Sequence, residues 1–196
     1  MHPTDFLEAG VDEAGRGPLA GPVVVAAVIL PGNYELEMLD DSKRLSALNR
    51  ERLAPEIEQQ ALAFSVEFVE VDEIDRVNIL QATMNGMQRA VENLVPAPQL
   101  AHVDGNRAPR LACVVNTVIG GDGLIASISA ASVLAKVYRD RLMVSMHDLY
   151  PDYGFDRHKG YPTAFHLERL KALGPCPIHR KSFAPVRKVI ENSFGF

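Results

Sequence analysis

Gly10-Val11-Asp12-Glu13-Ala14-Gly15-Arg16-Gly17-Pro18-Leu19-Ala20-Gly21 carries an apolar run into two adjacent carboxylates and then into a Gly-Arg-Gly turn. Beyond the turn, residues 23–30 read Val-Val-Val-Ala-Ala-Val-Ile-Leu. A continuous apolar run of that length, rich in β-branched residues, is the pattern of a strand covered on both faces. Carboxylates at a strand end are ligands for a hard divalent cation. Glycines let backbone approach a ligand, and a guanidinium held beside them suits a phosphate. The stretch therefore points to metal-dependent chemistry on a phosphodiester. Residues 15–20 also fit a G-x-G-x-x-A dinucleotide pattern, with Asp40 at about the expected distance. That pattern must open a helix, whereas Pro18, Gly21 and Pro22 break one and a strand follows. No Gly-Lys-Ser/Thr follows either, so the turn is not a P-loop.

Outward from this stretch, residues 7–12, 23–30, 64–71, 100–103 and 113–119 read as five strands. Ser46 is positioned to cap a helix with Leu48, Leu53, Ile57 and Leu62 on one side. Residues 72–95 read as helical with a break near Asn78. Residues 125–149 form a long helix with a small-residue face, and 163–173 and 184–192 are further helices. Three strands linked by hairpin or short helix, then strands alternating with helices, predict an α/β fold with a mixed sheet and helices on both faces. A shift to Pro, Gly and aromatics at 150–161 separates a core, 1–150, from a helical extension, 151–196.

The chain has 196 residues, 47% hydrophobic and 23% charged, which suits one globular unit. No apolar stretch reaches the roughly 18 residues of a membrane helix. Met1-His2-Pro3-Thr4-Asp5 carries no signal-peptide pattern, and Cys113 and Cys176 form no framework. A cytoplasmic protein with reduced thiols is expected. The net charge is −5, yet residues 157–188 hold eight Lys/Arg against one acid, Glu168. That imbalance predicts a local anion-binding surface on an acidic body. His158, His166 and His179, in the same segment, read as surface or phosphate-contact residues.

Asp12, Glu13, Asp104 and Asp122 form the acidic constellation. Asp104 and Asp122 are each followed by glycine, and Asp12 and Asp104 end strand-like runs, where open α/β sheets build their sites. Adjacent strand residues point to opposite faces, so Asp12 and Glu13 share one site only if the strand bulges or ends there. Three or four carboxylates without His or Cys favour Mg²⁺ or Mn²⁺ over Zn²⁺. Two such ions can drive an in-line phosphoryl displacement.

Several segments resemble the type 2 ribonucleases H, the ribonuclease HII family of bacteria. They are residues 10–24, Asp40-Asp41-Ser42-Lys43-Arg44-Leu45-Ser46, residues 78–84, Val103-Asp104-Gly105-Asn106, Gly120-Gly121-Asp122, residues 128–141, 153–166 and 179–187. The resemblance implies a ribonuclease H-like fold, a five-stranded mixed sheet flanked by helices, with a small C-terminal helical extension completing the substrate groove. It implies that Asp12, Glu13, Asp104 and Asp122 are the catalytic carboxylates and hold two Mg²⁺ or Mn²⁺ ions assembled with substrate. By the same resemblance Gly15, Arg16 and Gly17 read the ribose 2′-hydroxyl and flanking phosphate, and Tyr161 stacks on the sugar after the ribonucleotide. Lys43, Arg44 and Lys159 are matched to backbone contacts. Gly120 replaces a lysine common in the family. The implied activity is endonucleolytic: hydrolysis of the RNA strand of RNA–DNA hybrids, and nicking 5′ to single ribonucleotides in duplex DNA. The implied roles are ribonucleotide removal from DNA and RNA primer removal, by a monomer with no membrane partner. Other ribonuclease H-like nucleases, a small-molecule phosphohydrolase and a non-catalytic nucleic-acid binding module are the competing readings. The first of these lack the Gly-Arg-Gly turn, the second leaves the basic segment unexplained, and the third leaves four carboxylates without a purpose.

Overall fold

A computed structural model describes residues 6–37, 39 and 45–193. Its five strands are β1 (Glu8–Ala14), β2 (Val23–Ile29), β3 (Ala63–Val69), β4 (Leu100–Asp104) and β5 (Val114–Val118). They form one mixed sheet in the order β3-β2-β1-β4-β5. β2 runs antiparallel to β1 and β3, while β1, β4 and β5 are mutually parallel. The α/β class and the five-stranded mixed sheet are thus as the sequence pattern indicates.

Every residue of β2 is buried, because helices cover both of its faces. On one face Ala26 and Val28 meet Leu53 and Ile57 of α1 (Ala47–Gln60) and Ala130 and Leu134 of α4 (Ala126–Leu149). On the other, Val25, Ala27 and Ile29 meet Met87, Ala90 and Val91 of α3 (Ile79–Glu92). Two-sided burial is why the strand is apolar throughout instead of alternating. Ser46 caps α1 by accepting from Asn49 N at 3.2 Å. Leu48 is nevertheless exposed, and Leu62 lies beyond the helix. The buried stripe is Leu53, Ala54 and Ile57, so the expected apolar face is shorter than the sequence spacing suggested. Asn78, at φ 72°, separates α2 (Val71–Val77) from α3 and caps α3 through Gln81 N.

Helix α4 lies directly on β1. A Cβ at Gly10 would sit 2.0 Å from the Ser127 carbonyl carbon, so only glycine admits this approach. The small residues Ser127, Ala130 and Ala131 supply the matching helix face. The close contact brings α4 against the strand that carries Asp12 and Glu13.

The C-terminal segment comprises α5 (Phe155–His158), α6 (Ala164–Leu173) and α7 (Ala184–Ser193). It is fastened to residues 19–21. Leu19 N donates to Gly160 O, Gly21 N to Ile178 O and Arg180 N to Leu19 O, each at 2.8 Å. Asp75 on α2 accepts from Lys181 N and Ser182 N at 2.9 Å each. Apolar contacts of Leu19 with Leu170 and Val186 complete the seam.

Candidate active site

β1 extends through Ala14, so Asp12 and Glu13 lie inside the strand and not beyond its end. The expected bulge or strand end is absent, since the register with β2 is regular (Asp12 opposite Ala26, Glu13 opposite Val25); the two carboxyls are linked instead by Asp104, whose charge raises both. The opening arises on the other side. Parallel pairing of β1 with β4 stops at Val11 opposite Val103, and the strands part where Glu13 and Asp104 stand.

Asp12 is 6% exposed and accepts from Glu13 N at 2.7 Å. Burial, reinforced by the neighbouring charge of Glu13, holds its carboxyl well above the usual carboxylate range; a hydrogen bond from Ser132 on α4 opposes this. Burial also raises Glu13, against Arg16, whose Nη1 stands 3.2 Å from Glu13 Oε1. Glu13 Oε2 is buried without a hydrogen-bond partner among the described residues. Asp104 Oδ1 accepts from Gly121 N at 2.7 Å, which ties the end of β4 to the turn Gly121–Gly123. That turn carries Asp122, and Ser129 of α4 donates its hydroxyl to the Asp122 carbonyl.

Glu13 is the hub. One cavity of about 450 Å³ holds Glu13, Asp122, the 15–17 turn, Lys136 and Tyr161. A second, of about 310 Å³, holds Glu13, Arg16, Asp104 and Arg107. Asp12, buried, lines neither. Among the described residues no three Asp, Glu, His or Cys side chains are gathered into a complete metal-ligating group. The donor set still fits a hard cation: all-oxygen ligands, two carboxyls held up by burial and by neighbouring carboxylates, and an orphaned buried oxygen on Glu13.

The turn is built from behind by two fully buried arginines. Arg180 Nη2 donates to Gly15 O at 2.6 Å, Nη1 to Arg16 O at 3.0 Å and Nε to Gly21 O at 2.9 Å. Arg139 donates to Ala20 O, Pro22 O and Lys159 O at 3.0–3.1 Å. Neither has a carboxylate partner among these bonds, and burial pulls the Arg180 guanidinium down to about 9. Backbone carbonyls accept all six of these hydrogen bonds, while Asp75 favours the Arg180 charge and Asp140 the Arg139 charge without a direct bond to either. Across the groove, a Cβ at Gly17 would lie 3.7 Å from the Tyr161 ring. That ring is 42% exposed, with Lys136 Nζ and Arg139 Cζ each 6.0 Å from its centroid.

Several expectations for the basic segment are corrected here. Arg180 is a structural clamp and not a phosphate contact. His158, His166 and His179 are not surface residues: they form a cluster with Phe155 in which His166 and His179 are fully buried. His179 Nδ1 accepts from Cys176 N at 3.0 Å, which leaves Nε2 to donate to His166 Nε2 at 3.1 Å. His166 Nδ1 then donates to Tyr161 O at 2.9 Å. All three imidazoles are held below their ordinary pKa by burial, His179 down to about 4. Lys159 lines the groove, but its ammonium is turned to the Asp156 carbonyl. Lys43 and Arg44 lie outside the described residues. Ser132, Lys136 and Arg50, which also line the site, were not singled out from sequence. The spacing of Ser129, Ser132 and Lys136 along one face of α4 was the available signal.

An acidic centre on the central strand of this sheet, with a helix laid across it, defines a nuclease of the ribonuclease H class. Residues 9–186 match the family model for Ribonuclease HII. The Ribonuclease HII of Bordetella avium is 59% identical over 179 residues, covering 91% of this chain and 89% of that protein. That of Burkholderia mallei is 58% identical over 185 residues, covering 94% and 86%. The crystal structure of ribonuclease H2 from Pyrococcus horikoshii superposes with a TM-score of 0.82 at 28% identity, covering 97% of this chain and all of that one. Bst-RNase HIII, at 18% identity and a TM-score of 0.79 over 96% of this chain and 70% of its own, shares the fold. The chain belongs to the ribonuclease HII family, and it is a ribonuclease H, an endoribonuclease acting on RNA–DNA hybrids.

Proposed function

We propose that this enzyme, besides hydrolysing the RNA strand of hybrids, nicks duplex DNA 5′ to a single embedded ribonucleotide. The products carry 5′-phosphate and 3′-hydroxyl ends. The observation that carries this reading is the opposition of the 15–17 turn to Tyr161 across one narrow groove beside Glu13. The 2′-hydroxyl is what distinguishes RNA from DNA at one nucleotide. A turn whose amides and carbonyls are fixed by Arg180 can read that group by hydrogen bonding. The Tyr161 ring stacks on the following sugar and selects its position. Arg16, oriented by Glu13, meets the adjacent phosphate, Lys136 supplies positive charge along the strand, and Lys159 joins it once its ammonium leaves the Asp156 carbonyl.

Asp12, Glu13, Asp104 and Asp122 would hold two Mg²⁺ or Mn²⁺ ions. Magnesium is commonly held by one or two carboxylates plus substrate phosphate oxygens, which agrees with carboxylates that share a groove without converging. When bound, such ions supply an activated water and stabilise the leaving 3′ oxygen. Residues 151–193 complete the groove by presenting Tyr161 and by fastening the turn. The enzyme acts as a cytoplasmic monomer in ribonucleotide removal and in RNA primer removal.

The test is Asp104→Asn assayed on a duplex with one ribonucleotide. Cleavage falls by several orders of magnitude while the far-UV spectrum is unchanged. Near-wild-type cleavage by this variant contradicts the assignment.

A further inference from the structure

The groove does not end at the carboxylates. Beyond Glu13, on the side away from Tyr161, the cavity containing Asp104, Asn106 and Arg107 is floored by Leu80 and Met84 of α3. Met84 also lines the next cavity, of about 410 Å³, between Gln81 and Gln88 of α3 and Arg110. On the opposite side, the cavity with the turn shares Arg50, Lys136 and Tyr161 with a larger one, of about 820 Å³, that reaches Arg157. Linked by shared residues, the four cavities make one trough with the carboxylates in its middle.

The two ends of that trough differ in origin. The Tyr161 end is built by the basic C-terminal segment. The other end is built by the loop Gly105-Asn106-Arg107-Ala108-Pro109-Arg110, which lies outside it. Arg107 and Arg110 are both exposed. Neither pairs with an acid among the described residues, unlike Arg16, Arg89 and Arg141. The loop has a fixed start: Gly105 takes φ 102°, and its N–H donates to Val118 O at 2.9 Å. Pro109 is buried and pins the middle. Two guanidiniums without an acidic partner among the described residues, on an anchored loop facing the amide side chains of Gln81, Asn85 and Gln88, match a sugar-phosphate strand.

We propose that Arg107 and Arg110 bind the phosphates of the cleaved strand on the 5′ side of the cut, the limb that ends in the new 3′-hydroxyl. The polarity rests on the reading that Tyr161 takes the nucleotide after the ribonucleotide. If the 3′ limb leaves past Tyr161, the 5′ limb occupies the trough beyond Glu13. The enzyme then grips the strand on both sides of the carboxylates, with separate residues for each side.

The experiment compares wild type with the double variant Arg107→Ala/Arg110→Ala by fluorescence anisotropy in chelator. The probes are duplexes with one ribonucleotide whose flanks are shortened on one side at a time. Shortening the 5′ flank from about twelve to about three nucleotides weakens wild-type binding roughly tenfold. The double variant binds the long duplex as weakly as wild type binds the shortened one. It shows no further loss on 5′ shortening and keeps the wild-type response to 3′ shortening. Its slope of log affinity against log salt falls by about two. Arg52→Ala, an exposed cation on α1 outside the trough, controls for net charge and leaves all these values in place. Retention of the full 5′-flank response by the double variant overturns the proposal, as does an equal loss on both flanks. The underlying reading is judged separately, by whether wild type nicks 5′ to the ribonucleotide. If it does not, mapping cuts along an RNA–DNA hybrid still decides the arginine pair. Wild type spares the 5′-terminal nucleotides of the RNA, and the double variant loses that bias if the proposal holds.

Discussion

Arg180 donates a 2.6 Å hydrogen bond to the carbonyl of Gly15, across 165 positions of sequence. The same guanidinium holds the Arg16 and Gly21 carbonyls. The backbone proposed to recognise the ribose is therefore shaped by the C-terminal segment. Lysine cannot reproduce three directed donors. Arg180→Lys should cost on the order of 3 kcal/mol, since buried carbonyls lose their partners, and lower Tm by roughly 6–12 °C for a chain of this size. At a temperature where it is folded, its cleavage at a single ribonucleotide should fall further than its cleavage of a long hybrid. Equal losses on both substrates would separate the clamp from ribose recognition.

The two glycines of the turn should fail for different reasons. Gly15 has φ 96°, and a Cβ there would stand 1.9 Å from Arg139 Nε. Gly15→Ala should lower stability severely. At Gly17 the nearest atom to an added Cβ is 3.7 Å away, an ordinary contact. Gly17→Ala should melt within about 2 °C of wild type, yet cleave at least tenfold more slowly at a single ribonucleotide, because its methyl intrudes on the proposed sugar position. Thermal melts with parallel kinetics distinguish the two.

Asp12→Asn should stabilise the metal-free protein. The wild-type carboxyl is buried beside Glu13 with its pKa well raised, and an amide removes that repulsion while keeping an oxygen to accept from Glu13 N. Melts in chelator should show the variant above wild type. Added Mg²⁺ should raise the wild-type Tm through binding to the native state and leave the variant unmoved. The reverse order would remove the electrostatic argument for a cation at this place.

The histidine cluster gives the protein an acid limit. Unfolded histidines titrate near 6.5, whereas burial holds His158 and His166 below that and His179 down to about 4. The unfolded chain thus takes up protons that the folded chain refuses, and stability falls as pH drops from about 6.5 to about 4. Asp12 and Glu13 act in the opposite sense, since the folded state protonates them first. Unfolding free energies of wild type and His179→Gln across this range should differ in slope by about 1.4 kcal/mol per pH unit, the effect of one proton. Identical slopes would contradict the buried neutral tautomers.

The fold was legible where periodicity is unambiguous. Residues 23–30, Ser46 and the break at Asn78 all stand as their local chemistry implies. The carboxylates could be picked out because Asp-Glu before a Gly-Arg-Gly turn has few structural explanations. The clamps were not legible. Arg139 and Arg180 are charged, and charge counts assign such residues to a surface; only the three-dimensional path of residues 15–22 shows carbonyls waiting for them. The same holds for His166 and His179, whose burial depends on the segment folding back so that Phe155 and His158 pack against them. The Arg107–Arg110 loop was overshadowed by the larger basic segment, and only the continuity of the trough draws it in.

The most direct measurement is cleavage of an end-labelled DNA duplex carrying one ribonucleotide, beside an all-DNA control, with Mg²⁺, with Mn²⁺ and with chelator. The expected product is a single nick 5′ to the ribonucleotide, dependent on the metal and absent from the control. A folded protein that cuts a long hybrid but leaves this duplex intact would contradict it.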